Sequence, residues 1–186
     1  MSDLAVLARG IGVNERTLRR AINQGTVRAA RPTPRALRVP LSERSYIRRA
    51  WPLLASLRQA LRTEKNVRFA LLFGSAAAGT DTPASDIDLL VDQRDSSLER
   101  LTDLGDKLSA ITGRRVDLVR LQDAEVEPFF LENIVSSGRV LVDRDELWPS
   151  LSRRVSRSSN QAPRREAARA RKALAGIDRF LDARDG

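Results

Sequence analysis

An almost unbroken apolar run, VRFALLF at residues 67–73, ends at Gly74-Ser75. Such a run is typical of a buried β-strand, and the Gly-Ser pair predicts a tight loop after it. A second strand-like run, DIDLLVD at residues 86–92, carries Asp86 and Asp88 two positions apart. Side chains at i and i+2 of a strand point to the same face, so these carboxylates are expected to converge. Two adjacent anions repel unless a cation lies between them.

The segments that follow complete a strand, loop, strand, helix, strand order. An amphipathic pattern predicts a helix over residues 97–112, capped by Ser96 or Ser97 and ending at Gly113. Residues 116–120 (VDLVR) then predict a strand that places Asp117 between apolar neighbours. A short helix at 128–137 and a final strand at 139–142 follow. This order predicts an α/β (α+β) fold.

The composition restricts the chemistry of any site. The 186 residues include no cysteine and no histidine, which excludes disulfides, iron–sulfur clusters and thiolate zinc. A bound metal must therefore sit on carboxylates, which suit Mg²⁺ or Mn²⁺. No apolar run approaches the ~20 residues of a membrane span, and the N-terminus lacks a basic leader followed by an apolar stretch. We expect a cytoplasmic protein with no membrane contact.

The segment LLFGSAAAGTDTPASDIDLLVD, followed by VDLV, resembles the polymerase β-type nucleotidyltransferase superfamily. The family signature is a Gly-Ser after a first strand, an Asp-x-Asp shortly afterwards and a third Asp on a later strand. The resemblance covers residues 67–142 and is greatest to the minimal nucleotidyltransferases of bacterial toxin–antitoxin pairs. It implies the nucleotidyltransferase fold, a small mixed sheet flanked by helices.

The resemblance also implies a role for each residue of the signature. Gly74 and Ser75 would hold the triphosphate of ATP or another NTP through backbone amides and the Ser75 hydroxyl. Asp86 and Asp88 would bind two Mg²⁺ ions, and Asp117 would complete the second metal site and help to deprotonate an attacking hydroxyl. Many relatives carry a polar or basic residue directly after Gly-Ser, where this chain has Ala76-Ala77-Ala78.

The first 42 residues predict a separate module. Apolar residues at helical spacing predict helices at 3–9 and 15–23, with Asn14 as N-cap and Gly25 ending the second helix. Two strand-like runs, 27–30 and 36–39, are joined by a basic Pro-x-Pro link. The stretch from Gly12 to Glu43 resembles the winged helix-turn-helix of the MerR and excisionase-like families.

This second resemblance implies DNA binding, which would favour a homo-dimer or larger complex. The alternative is a small helical cap that packs on the catalytic domain or contacts RNA or protein. The residues implied in nucleic-acid contact are Arg16, Thr17, Arg19 and Arg20 on the recognition helix, and Arg31, Arg35 and Arg38 on the wing.

Charge is distributed unevenly over four predicted segments. These are a winged helix-turn-helix (1–42), a connecting helix (43–66) with Ser42 as N-cap, a nucleotidyltransferase domain (67–148) and a linker with a C-terminal basic amphipathic helix (149–186). Residues 1–66 contain 14 Lys and Arg against 4 Asp and Glu, whereas residues 67–148 contain 9 against 16. Basic ends suggest a polyanionic or acidic partner, or else solvated arginine-rich faces.

The last helix, at 164–184, would dock on its own domain, a partner protein or RNA.

Three functions follow from these patterns. The first is an antitoxin-like enzyme that transfers NMP, AMP from ATP by preference, to a co-encoded toxin and represses its own operator. By resemblance, the toxin would be a HEPN-domain ribonuclease modified on a tyrosine. The second is a toxin that adds nucleotides to tRNA 3′ ends, and the third is a catalytically silent DNA-binding regulator. A small-molecule nucleotidyltransferase is a weaker alternative because it leaves the N-terminal module without a role.

Overall fold

The structure, a computed structural model, describes residues 3–33 and 36–156 of the chain. Contacts divide the chain into two compact units, Met1–Trp148 and Pro149–Gly186. In the second unit the described residues, 149–156, are helical, in a stretch whose Ser and Arg content predicts a flexible linker. Leu151 and Val155, four positions apart, give it an apolar stripe despite its Ser and Arg content. The predicted helix at 164–184 lies outside the described residues.

The first unit is built from helices and strands that alternate along the chain. The helices are α1 (Asp3–Gly10), α2 (Glu15–Asn23), α3 (Leu41–Thr63), α4 (Gly74–Ala78), α5 (Leu98–Thr112), α6 (Leu121–Ala124) and α7 (Pro128–Ser137). The strands are β1 (Ala30–Thr33), β2 (Ala36–Arg38), β3 (Val67–Phe73), β4 (Ile87–Gln93), β5 (Val116–Arg120) and β6 (Arg139–Asp143). From β3 onward, the four strands and the helices α5 and α7 have bounds within one residue of the predicted ones, whereas α4 and α6 were not predicted.

A four-stranded sheet forms the centre of the unit, with strand order β5-β4-β3-β6. Strand β3 pairs antiparallel with both β4 and β6, whereas β4 pairs parallel with β5. The parallel pair is connected by the crossover helix α5, as parallel neighbours require. The sheet is therefore mixed and flanked by helices, which confirms the predicted fold class.

The N-terminal region follows the predicted helix, turn, helix, hairpin order with two corrections. The Asn14 side chain caps α2 by accepting a hydrogen bond from the Thr17 amide at 2.8 Å, as predicted. The first hairpin strand is Ala30–Thr33 rather than 27–30, because Val27 is buried in the core and pairing begins only after it. Helix α3 starts at Leu41 behind Pro40, so the predicted N-cap, Ser42, lies inside the helix.

One hydrophobic core runs through the whole first unit. It joins Leu18 of α2, Leu54 and Leu61 of α3, and Leu72 and Leu89 of the sheet. The three predicted segments up to residue 148 therefore share buried surface, and α3 packs between the N-terminal helices and the sheet. Within the two described ranges, none of the helices combines the length and apolar character needed to cross a membrane.

Candidate active site

Gly74 and Asp88 meet where β3 and β4 lie side by side. Asp88 is the register partner of Phe73, the last residue of β3, and Gly74 follows directly as the first residue of α4. Gly74 has φ +66°, a left-handed conformation that glycine adopts readily. A Cβ there would overlap Asp88 Oδ2 and lie 3.1 Å from Asp88 Cγ. The Asp88 carboxylate thus packs directly on the Gly74 backbone.

The three predicted carboxylates gather at this end of the sheet. Asp88 and Asp117 are Cα partners in the parallel pair of β4 and β5, and Asp86 directly precedes β4. Asp86 is exposed, whereas Asp88 and Asp117 are half-buried. Burial raises the pKa of the Asp88 carboxyl, and the charges of Asp117 and then Asp86 raise it further. The protein therefore does not fully neutralise the negative charges of Asp86, Asp88 and Asp117.

The carboxylates are oxygen donors of the kind that Mg²⁺ and Mn²⁺ prefer. Asp117 Oδ1 accepts a hydrogen bond from Arg115 Nε at 2.9 Å, so one of the candidate metal-binding oxygens is already engaged by an arginine of the chain. Across residues 3–33 and 36–156, no three acidic side chains are grouped closely enough to form a finished metal site. The chemistry of the donor set fits a divalent ion, and binding requires the side chains to close around it.

Helix α4 replaces the loop predicted after β3. The Ser75 carbonyl accepts hydrogen bonds from the Gly79 amide at 2.8 Å and the Thr80 amide at 3.1 Å, which closes a single helical turn. The N-cap residue Phe73 forms no side-chain hydrogen bond to the start of α4, so the first amides of this turn lack a capping acceptor. Ala76 and Ala77 are 1% and 0% exposed. They pack into the core, which explains why small apolar residues follow Gly-Ser.

Similarity to known proteins agrees with this geometry. The family model described as "Polymerase beta, Nucleotidyltransferase" matches residues 55–147, half of the chain. This chain belongs to that nucleotidyltransferase family. No curated protein matches the sequence significantly.

Solved structures of toxin–antitoxin systems resemble the chain weakly. A chain of a toxin–antitoxin structure with AMP-PNP is 24% identical, with a TM-score of 0.49, over 63% of this chain and 96% of that chain. A chain of the tri-AMPylated Shewanella oneidensis HEPN toxin in complex with MNT antitoxin is 21% identical, with a TM-score of 0.46, over 65% and 97%. With TM-scores below 0.5, the family match remains the basis of the assignment.

A buried arginine supports helix α4 of the nucleotidyltransferase through a hydrogen bond to one of its carbonyl groups. Arg139, 2% exposed, donates from Nε to the Ala77 carbonyl at 2.8 Å, and Tyr46 Oη donates to the Ala76 carbonyl at 3.0 Å. Glu43 holds Arg139 with two hydrogen bonds, at 2.5 and 2.9 Å, and the guanidinium lies 3.5 Å from the centre of the Tyr46 ring. Helix α3 and strand β6 thereby fix the helix that carries Gly74 and Ser75.

A second arginine, Arg114, holds the loop before Asp86. Its Nη1 donates to Asp81 Oδ2 at 2.8 Å and its Nε donates to the Ser85 carbonyl at 2.8 Å. Neither Arg114 nor Arg139 was among the residues predicted from the sequence. Their partners lie far away along the chain, and only the charge at the start of an apolar strand marked Arg139 as unusual.

The residues predicted to contact nucleic acid lie on α2 and the β1–β2 hairpin. Arg16, Thr17, Arg20 and Arg38 are exposed. The other two described residues have partners within the chain, since Arg19 pairs with Glu15 at 2.6 Å and Arg31 donates to Asn23 Oδ1 at 2.7 Å. Arg35 lies outside the described residues.

Proposed function

We propose that this nucleotidyltransferase transfers AMP from ATP to a hydroxyl group of a partner protein encoded beside it, a toxin of the HEPN type. The observation that carries the enzymatic part is the junction of Gly74, Asp88 and Asp117 in a chain of this family. The partner comes from the resemblance of the signature to minimal nucleotidyltransferases. The similarity of the fold to toxin–antitoxin structures is consistent with it.

Each residue of the junction has a task in the proposed reaction. The amides of Gly74 and Ser75 would bind the triphosphate at the start of α4, where Phe73 in the N-cap position forms no side-chain hydrogen bond to them. Asp86, Asp88 and Asp117 would hold Mg²⁺, or Mn²⁺, which when bound offsets the charge of the phosphates and of the leaving pyrophosphate. Asp117 accepts the proton of the attacking hydroxyl. The hydroxyl oxygen bonds to the α-phosphorus as the bond to pyrophosphate breaks.

A protein acceptor is favoured over tRNA by the surface next to the site. Phe130 packs edge-on against Phe73, the residue before Gly74, with 6.3 Å between ring centres. Phe129 and Val126 are 77% and 78% exposed. An exposed aromatic patch of this kind is typical of protein interfaces. Glu127, next to it, adds negative charge that would repel an RNA backbone.

We further propose that the N-terminal helices and hairpin bind operator DNA. The exposed side chains of Arg16, Thr17, Arg20 and Arg38 supply positive charge and hydrogen-bond donors on one small module. One such module covers a short site, so a dimer would be needed to read an operator. In this arrangement the same chain would modify its partner and regulate its own gene.

The deciding experiment is incubation of the full chain with α-³²P-labelled ATP and Mg²⁺, with and without its co-encoded neighbour and with tRNA. We expect label on the neighbour, lost in Asp88→Asn. Asp92→Asn is the matched control, because Asp92 is also a half-buried carboxylate of β4, outside the junction. Label on tRNA alone would support the toxin alternative. Absence of label, with intact operator binding, would support the silent regulator.

A further inference from the structure

A groove of about 520 Å³ lies between α2 and α3, away from the Gly74–Asp88 junction. Four of its lining residues are arginines, Arg16 and Arg20 from α2 and Arg58 and Arg62 from α3. Within the part of the chain that the structure describes, no acidic residue lines it. Among the described residues, none of these arginines forms an ion pair with a carboxylate, although ten such pairs occur elsewhere in the described chain. The groove therefore concentrates positive charge without an internal counter-charge.

Arg58 forms the floor of this groove. It is 7% exposed, and its guanidinium donates to the side-chain oxygen of Gln24, a neutral acceptor. A buried guanidinium without a carboxylate is costly, because a neutral hydrogen bond replaces only part of its hydration. Burial, and then repulsion from Arg62 and Arg20, lowers the pKa of Arg58 to about 10. The side chain consequently keeps its charge at neutral pH.

The position of Arg58 is unusual for the helix that carries it. Leu54, Leu57, Arg58 and Leu61 occupy the buried stripe of α3, and the other three are fully buried leucines. A leucine or methionine at 58 would continue the stripe without the cost of a buried charge. Placement of an arginine there, facing a groove lined by three more exposed ones, indicates that the charge meets something that enters from solvent.

We propose that this groove is a binding site for a small polyphosphate anion, either inorganic polyphosphate or the phosphate tail of a nucleotide. Arg58 would bind the most deeply inserted phosphate, and the exposed side chains of Arg16, Arg20 and Arg62 would close around the outer ones. Gln59, which is exposed, and Trp51 also line the groove and would contact the rest of a nucleotide. This inference does not depend on the proposed transfer reaction.

A small anion fits better than the backbone of a DNA duplex. A duplex presents its phosphates on a stiff convex surface, so it can contact exposed arginines on the rim but cannot reach a side chain that is 7% exposed. Arg16, Thr17 and Arg20 nevertheless line the groove and also belong to the proposed DNA surface. Occupation of the groove would therefore weaken operator binding, which links the two sites.

The test is calorimetric titration of the full chain with sodium tripolyphosphate in the absence of Mg²⁺, at fixed ionic strength. The protein carries Asp86→Ala and Asp88→Ala, so that the candidate active site is altered in every sample. We expect one saturable site per chain. Arg58→Gln should weaken binding about tenfold or more, since a hydrogen bond between charged groups is lost. Arg62→Gln, on the exposed rim, repeats the test if Arg58→Gln does not fold.

Arg48→Gln is the matched control, because Arg48 is an exposed arginine of α3 that does not line the groove. It removes the same charge and should leave affinity within about twofold. ATP in place of tripolyphosphate shows whether a nucleotide or inorganic polyphosphate is preferred. Equal loss of binding in Arg48→Gln and the groove variants, or titrations that never saturate, would overturn the proposal. The proposal would also be overturned if a random DNA duplex bound in a manner that depends on Arg58 and tripolyphosphate did not bind.

Discussion

A Cβ on Gly74 would overlap the Asp88 carboxylate, so no side chain fits between the start of α4 and strand β4 at this point. Gly74→Ala should therefore displace either Asp88 or the start of α4. We expect transferase activity to fall about 100-fold or more, because displacements near 1 Å cost that much at a reacting centre. Labelled AMP transfer to the acceptor measures the loss.

Gly113→Ala is the control for Gly74→Ala. Gly113 has the same φ, +66°, but a Cβ there would meet no atom of the described residues within 4 Å. Both variants bear the backbone strain of alanine in the left-handed region, about 1 kcal/mol. Only Gly74→Ala should lose more transferase activity than its loss of stability explains. Equal activities in the two variants would show that contact with Asp88 has no catalytic consequence.

Removal of the Asp88 charge should stabilise the protein when no metal is present. Burial and the charges of Asp117 and Asp86 raise the pKa of Asp88, so its ionised form is less favourable in the folded chain than in the unfolded chain. Asp88→Asn should raise the melting temperature in EDTA while abolishing transfer. Addition of Mg²⁺ should stabilise the wild type and not the variant. A lower melting temperature for Asp88→Asn in EDTA would contradict this assignment.

The strands, and the carboxylates on them, could be predicted because their signals are local. Apolar runs predict β3 and β5 with the bounds that the structure has, and the Asp-x-Asp spacing predicts two carboxylates at the start of β4, where the charge of Asp86 acts on Asp88. The supports of the site could not be predicted, because Arg139 joins Ala77, Thr26 and Glu43 across long stretches of chain. The groove between α2 and α3 has one local signal in the sequence, which is Arg58 within a stripe of leucines. The hairpin strand was misplaced because Val27 belongs to the core.

The ion pair of Arg139 and Glu43 should be essential to stability, because both partners are buried. Glu43→Gln leaves the guanidinium without its counter-charge, at a cost of about 3–5 kcal/mol in the free energy of unfolding. Urea denaturation at neutral pH measures this cost. Glu64→Gln, which breaks the exposed pair with Lys107, should cost less than about 1 kcal/mol. Similar losses in the two variants would argue against the supporting role of Arg139.

The aromatic patch beside the site should govern use of the protein acceptor. Phe129→Ser removes the most exposed ring, so we expect KM for the co-encoded partner to rise about tenfold or more, with kcat and ATP affinity unchanged. Leu98→Ser is the control, because Leu98 is 75% exposed at the start of α5. An unchanged KM in Phe129→Ser would place the acceptor on another surface.

Arg115 should restrain metal binding through Asp117. Its Nε lies 2.9 Å from Asp117 Oδ1, and the two side chains are 73% and 42% exposed, so solvent weakens the pair. Arg115→Gln frees the carboxylate, and we expect affinity for Mg²⁺ to rise about two- to fivefold, the equivalent of an exposed ion pair of up to about 1 kcal/mol. Calorimetric titration with MgCl₂ in the presence of a non-hydrolysable ATP analogue measures the change. Arg120→Gln, which breaks the Arg120–Asp123 pair at the other end of β5, should leave the affinity for Mg²⁺ unaltered. If Arg115→Gln instead weakens binding, Arg115 assists the bound nucleotide directly and Asp117 is not held back by it.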